Sequence, residues 1–151
     1  MAAMDEQPTL PAPYELSVDV GRLDRDKVHG WLSQDAYWAL GRPRETQDRA
    51  IDGSLNFGVY DAGSGEQVAY ARVVTDGATF AWLCDVYVER GARGAGVGTA
   101  LVAAVRARLH EYGVRRTLLC TEDAHALYRK SGFSQLADPE RWMAAFGGTG
   151  T

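Results

Sequence analysis

An α+β fold around a mixed, mainly antiparallel sheet is what this sequence predicts, on three observations. A single alternating apolar–polar run is followed by two helical stretches. Three β-rich runs then come in succession, joined by Gly/Ser/Asp and Asp-Gly turn signals. Finally a glycine-rich loop opens into a strongly periodic helix, after which strand and helix alternate. Strands joined by tight turns pair antiparallel, whereas a strand reached through a helix can pair parallel.

Taken in order, YELSVDV alternates from Tyr14 as a half-buried strand does. LDRDKVHGWLSQDAYWALG reads as helical from Asp24, a good N-cap, with Val28, Trp31 and Leu32 on one stripe. Pro43 suits the first turn of a second helix, where its missing N–H is not needed, and that helix runs to about Asp52. LNFGVYDAGSGEQVAYARVV is a hairpin, and Asp76-Gly77 turns the chain into a third run, giving a meander of 55–60, 67–75 and 78–88. Val97, Leu101, Val105 and Leu109 recur at helical spacing up to Gly113, a natural C-cap. RRTLLCT reads as a buried strand, DAHALYRKSG as a short helix closed by Gly132, and FSQL and RWMAAF as final strands. The total is about six or seven strands and four helices. No internal repeat or linker interrupts the chain, so we expect an arm at 1–13, one domain at 14–146 and a tail at 147–151.

Composition narrows the function classes. The chain has 151 residues, 46% hydrophobic and 24% charged, with no apolar run near the roughly 20 residues that cross a bilayer. A net charge of -4 gives no global attraction for nucleic acid or an anionic membrane, so an anionic ligand must be held by a local arrangement. The first thirteen residues carry three prolines and lack the basic and apolar regions of a secretory signal, which makes the cytoplasm the expected location. Cys84 and Cys120 lie in apolar contexts without metal-ligand spacing and read as reduced core residues; nothing suggests a metal. His29 and His110 sit on helices with no ligand-spaced partner, and His125, one helical turn before Arg129, is either a surface or capping histidine or a titratable group of the site.

The stretch RGARGAGVGT, directly before the helix, holds four glycines between Arg90 and Gly98. A loop with few side chains lets an anion approach the unpaired N–H groups and positive dipole end of a helix. The pattern G-x-x-x-x-G-K-[ST] fails because no Lys-Ser or Lys-Thr pair follows, and G-x-G-x-x-G fails because Thr99 stands where the third glycine belongs. Arg93-Gly94-Ala95-Gly96-Val97-Gly98 does match Q/R-x-x-G-x-G/A. With ALYRKSGF further on, at A-x-x-L-Y-x-K-x-G-F, the chain resembles the GNAT superfamily of N-acetyltransferases from about Tyr14 to Met143.

That resemblance implies a three-layer α/β/α architecture in which the fourth and fifth strands splay into a slot. Acetyl-coenzyme A is the implied co-substrate and an amine the implied acceptor, either a small molecule or a peptide or protein. Amides of Gly94, Gly96, Val97, Gly98 and Thr99, within the Arg93–Thr99 segment that includes Ala95, are implied to grip the pyrophosphate, and Val86 and Val88 to offer main-chain groups to the pantetheine arm. Arg90, Arg93, Arg129 and Lys130 are candidates for the nucleotide phosphates, or solvated surface charges. Thr121 stands where many relatives carry asparagine. Homodimers are common in the family, and a homodimer fits here too.

Tyr128 matches the family tyrosine that donates a proton or hydrogen bond to the coenzyme sulfur; the plain alternative is a tyrosine anchoring its helix. Strand alternation puts Trp82, Cys84 and Val86 on one face and Leu83, Asp85 and Tyr87 on the other. Relatives with a base on this strand place it at positions matching Trp82 or Cys84, and neither is a good base. Asp85 serves as base if a β-bulge re-aims it; otherwise it is a buried carboxylate paired with a neighbour such as Arg72, or the amine loses its proton to water. Tyr37 and Trp38, with Cys84 at the slot, are candidate substrate contacts, Arg42 is a candidate holder of a substrate carboxylate, and both aromatic rings can equally be packing. A GNAT-like module that binds acyl-coenzyme A without turnover is the alternative to an enzyme.

Overall fold

The computed structural model describes residues 9–148. Five strands, β1 (Tyr14–Ser17), β2 (Leu55–Asp61), β3 (Gln67–Thr75), β4 (Ala81–Val88) and β5 (Thr117–Leu118), form one sheet in chain order. The first four pair antiparallel and β5 joins β4 in parallel. Four α-helices accompany them: α1 (Arg25–Asp35), α2 (Arg44–Asp52), α3 (Val97–Glu111) and α4 (His125–Arg129).

Alternation along β3 divides the core into two. Ala69, Ala71 and Val73 pack with Val97, Leu101, Val105 and Leu109 of α3 on one face, whereas Tyr70 packs with Val28, Leu32 and Ile51 of α1 and α2 on the other. The whole α3 stripe is at most 1% exposed, so tertiary burial holds this helix. Local signals set several ends. The Asp24 carboxylate accepts from Lys27 N at 3.0 Å to start α1, and Gly113, at φ 80°, follows the last turn of α3. Pro43 stands just outside α2 as its N-cap rather than within its first turn.

The strand count falls short of six or seven. Residues 133–148 contain no strand, only a 3-10 turn at Pro139–Arg141, and Met143 and Phe146 are 97% and 91% exposed. FSQL and RWMAAF would need a ladder to pair with, and β5 supplies only two paired residues. RRTLLCT is accordingly not a buried strand: Leu119 is half-buried and Cys120 is exposed, which also removes Cys120 from the core. β4 begins at Ala81, not 78, because Asp76 Oδ1 accepts from the backbone of Ala78, Thr79 and Phe80 and ties those residues into a turn. Residues 1–8 of the expected arm and 149–151 of the expected tail lie outside the described residues. Leu10 packs against the core, and Pro13 O accepts from Ala62 N at 2.9 Å, so the described part of the arm is tied down.

Candidate active site

The site begins where the sheet comes apart. β4 and β5 pair only at Ala81–Thr117 and Trp82–Leu118, after which, among the described residues, no strand pairs with Val86 and Val88 on the β5 side, while β3 still flanks the other. A cleft of about 730 Å³ occupies the gap, with Val86 and Val88 on one side, Cys120 and Thr121 on the other, and Gly94, Gly96 and the first turn of α3 at one end.

Main chain builds that end. Gly94 and Gly96 adopt φ of 89° and 85°, the left-handed region that a side chain disfavours, and a Cβ on either would meet nothing within 4 Å. Gly96 is the N-cap of α3 and offers no side chain to its N–H groups; those of Val97, Gly98 and Thr99 have no carbonyl partner within the helix. Partial positive charge therefore faces open space, which fits a diphosphate in size and sign. Ala95 is not part of the lining. Arg90 and Arg93 line the cleft but are engaged: both pair with Asp35, at 2.5 and 3.7 Å, and Arg93 Nε donates to Val88 O at 2.8 Å. Tyr87 Oη also donates to Asp35, at 2.6 Å. Donation from Arg90 and Tyr87 holds the Asp35 carboxyl below its usual range. Lys130 lines the cleft, whereas Arg129 lines a separate cavity of about 310 Å³ outside β5, with His125.

A bulge shapes the other end. Tyr70 faces Tyr87 and Arg72 faces Cys84, so two residues of β4, Asp85 and Val86, stand against Ala71 alone. Asp85 sits at φ 52°. The extra residue shifts the alternation: Leu83, Val86 and Val88 pack on the α3 side, while Tyr87 packs on the α1 side. Strict alternation had put Val86 with Cys84 and apart from Leu83; the bulge reverses that. Asp85 is 2% exposed and accepts four hydrogen bonds, from Trp38 Nε1 (2.8 Å), Arg42 Nη1 (2.8 Å), Arg42 Nη2 (3.3 Å) and Arg72 Nε (2.8 Å). Burial alone would raise its pKa, but the hydrogen bonds from Arg42 and the charges of Arg72 and Arg42 together hold it below the ordinary range. Arg42 thus holds a carboxylate of the protein itself.

Trp38 and Tyr37, 44% and 41% exposed, line the cleft and stack edge to face at 5.0 Å. Tyr37 Oη accepts from Glu122 N at 2.8 Å, so the loop between α1 and α2 reaches across to the loop between β5 and α4. Tyr128 also lines the cleft, its ring 5.9 Å from that of Phe133. Burial, then the neighbouring Tyr37, Asp123 and Cys84, push its phenol up to about 12, so it keeps its proton throughout the physiological range. Cys84 is not in the lining; its thiol lies 3.5 Å from Arg72 O and is pushed up to about 11, first by burial.

Sequence reasoning missed Asp35, Asp123 and Leu127 as lining residues. Leu127 carried a signal, since it precedes Tyr128 in ALYRKSGF. Asp35 and Asp123 carried none, because their places depend on how α1 and the α4 loop pack. Among the described residues no group of three or more His, Cys, Asp or Glu could hold a metal, and no helix is long and apolar enough to cross a membrane.

Known proteins share both fold and sequence. The profile of the Acetyltransferase (GNAT) family matches residues 25–133. A crystal structure from Xanthomonas campestris pv. campestris, provisionally assigned as a GNAT acetyltransferase, is 42% identical, covers 92% of this chain and 96% of its own, and superposes with a TM-score of 0.84. A Gibberella zeae protein provisionally named an acetyltransferase is 30% identical over 136 residues, 78% of this chain and 77% of that one. The chloroplastic serotonin N-acetyltransferase 2 of Oryza sativa subsp. japonica is 32% identical over 85% of this chain; the chain spans 63% of the rice protein. A protein matched by that profile from α1 through β2–β5, its glycine loop and Tyr128 is a transferase, and the chain belongs to the acetyltransferase (GNAT) family.

Proposed function

We propose that the protein transfers an acetyl group from acetyl-coenzyme A to the primary amine of a small molecule or of a peptide or protein. The observation that carries this reading is the continuity of one cleft. It runs from the uncapped first turn of α3, past the unpaired edge of β4, to Tyr128, Tyr37 and Trp38. Gly94, Gly96, Val97, Gly98 and Thr99 would hold the pyrophosphate through main-chain N–H groups, and Val86 and Val88 the pantetheine by adding a strand edge. The thioester supplies an activated acetyl group; the chain supplies orientation and proton control.

Tyr128 donates a hydrogen bond to the departing sulfur. A phenol near 12 is a weaker acid than a thiol near ~8.5, so it stabilises a thiolate by hydrogen bonding more than by giving up its proton. With both Asp85 oxygens engaged, the amine is deprotonated by water rather than by a side chain. Because only neutral amine reacts, kcat/KM rises about tenfold per pH unit between roughly pH 6 and 8. A plateau beginning near pH 5 would instead reveal a carboxylate base. Serotonin, for which the rice relative is named, is an amine with a flat ring, in keeping with the Tyr37 and Trp38 rings at the cleft.

Calorimetric titration with acetyl-coenzyme A tests the cradle, and no heat at millimolar ligand removes the reading. Tyr128→Phe is expected to lower kcat about 10- to 100-fold while the coenzyme Kd moves less than about threefold. Unchanged turnover would take Tyr128 out of the chemistry.

A further inference from the structure

Asp85 joins parts of the chain that are far apart in sequence. It lies at the β4 bulge with almost no exposure, and the groups facing it come from the α1–α2 loop (Trp38 and Arg42), from β3 (Arg72 and Tyr70) and from β4 itself (Cys84). Arg42 also donates to Gln47 of α2 at 2.9 Å, which secures the far end of the loop. Within that loop the Trp38 ring meets the Tyr37 ring, and Tyr37 is in turn held by Glu122 N. A closed circuit results: β4, Trp38, Tyr37, then the loop after β5. It encircles the cleft at the end opposite the glycines.

We propose that Asp85 is a positioning residue for the acceptor: by holding Trp38 and Arg42 it fixes the aromatic wall of Tyr37 and Trp38 against which the acceptor amine is placed. The word acceptor rests on the acetyl-transfer reading above. A residue acting through Trp38 affects how well the acceptor binds and leaves the coenzyme end untouched, since Gly94, Gly96 and α3 are not members of the circuit.

Asp85→Asn separates this role from that of a base. Asparagine offers one acceptor oxygen and two N–H donors where four hydrogen bonds now arrive at two oxygens, so the arginines take the oxygen and Trp38 meets a donor. With 2-phenylethylamine and butylamine as probe acceptors, the variant is expected to raise acceptor KM about tenfold and to change kcat less than threefold. The coenzyme Kd should stay within twofold of wild type and the pH profile of kcat/KM should keep its shape. Trp38→Phe, which keeps an aromatic ring but loses the second ring of the indole together with the N–H and its bond, should raise KM in the same direction; adding it to Asp85→Asn should change little beyond the loss of ring area. A hundredfold fall in kcat with KM unchanged, or loss of a limb of the pH profile, overturns the proposal in favour of a base. So does an unchanged KM in Trp38→Phe, which also stands as the test if Asp85→Asn fails to fold.

One measurement needs no acceptor. The Trp38 indole N–H, held by a buried carboxylate, should exchange with deuterium at least about tenfold more slowly in wild type than in Asp85→Asn, read by NMR. Equal exchange overturns the positioning role. If neither amine is acetylated by wild type, the transfer reading for small amines fails separately, and the exchange comparison still decides the role of Asp85.

Discussion

At one end of the cleft, Gly94, Gly96 and the first turn of α3 present main-chain N–H groups; at the other, Trp38, Arg42 and Arg72 bring side chains together on Asp85. The first end is local, formed by a few consecutive residues whose backbone conformation is written in their type. The second is assembled from residues up to 47 positions apart. Main-chain sites tolerate most substitutions that spare the glycines, whereas a side-chain hub is sensitive at every member.

The largest expected effect falls on the hub. The Asp85 side chain is 1% exposed, and those of Arg42 and Arg72 are 18% and 14% exposed. Removing one partner of such a set leaves charge without compensation, so Asp85→Asn should cost about 3–5 kcal/mol of stability at neutral pH. The sign with pH follows from the depressed folded-state pKa. A carboxyl that titrates lower when folded than its unfolded ~3.9 stabilises the fold above that value. That contribution disappears as the pH falls through the folded pKa. Denaturant melts at pH 7 and pH 3 should therefore show the gap between wild type and variant narrowing in acid. A gap of the same size at both pH values would mean that the carboxylate charge is not what stabilises the loop.

This contrast also governs what could be read from the sequence. The glycine loop, the Asp24 cap, the Asp76-Gly77 turn and the α3 stripe were legible because each depends on residue type within one or two turns of chain. The β4 bulge entered only as a condition on Asp85 serving as base, because an extra residue in a strand leaves no mark in composition, and its consequence, a reversed facing for Val86, was not read. Arg72 as partner of Asp85 was legible as an alternative, from adjacent strands. Arg42 and Trp38 were not, since they reach Asp85 only through the packing of α1 and α2. Tyr37 meeting Glu122 N, 85 residues away, lies further still beyond a local pattern.

An intermediate effect is expected at the glycine end, and it can be made position-specific. Gly96→Val places a β-branched residue at φ 85°, costing about 1–2 kcal/mol, and puts methyl groups where a diphosphate would lie. Acetyl-coenzyme A affinity should fall at least about tenfold by calorimetry. Gly98→Ala is the control. Gly98 lies inside α3 without positive φ, and its new Cβ would make ordinary contacts of 3.6 Å to Val88 Cγ2 and 3.8 Å to Leu127 Cδ1. Replacing a helical glycine by alanine should hold or raise stability, by up to ~1 kcal/mol. If Gly98→Ala destabilised as much as Gly96→Val, the backbone account of this end would fail.

The smallest effect is expected in the chain after β5, where the sequence pattern and the fold part company. RWMAAF has the composition of a strand, yet Phe146 is 91% exposed and Trp142 rests near Arg116 with 5.9 Å from guanidinium to ring. A side chain that buries so little contributes little, so Phe146→Ala should change stability by less than about 0.5 kcal/mol. Trp142→Ala should cost somewhat more, up to ~1 kcal/mol, through the lost cation–π contact. A loss above about 2 kcal/mol for Phe146→Ala would mean that this segment pairs and packs in solution, adding the strand that β5 lacks here and closing the outer edge of the sheet.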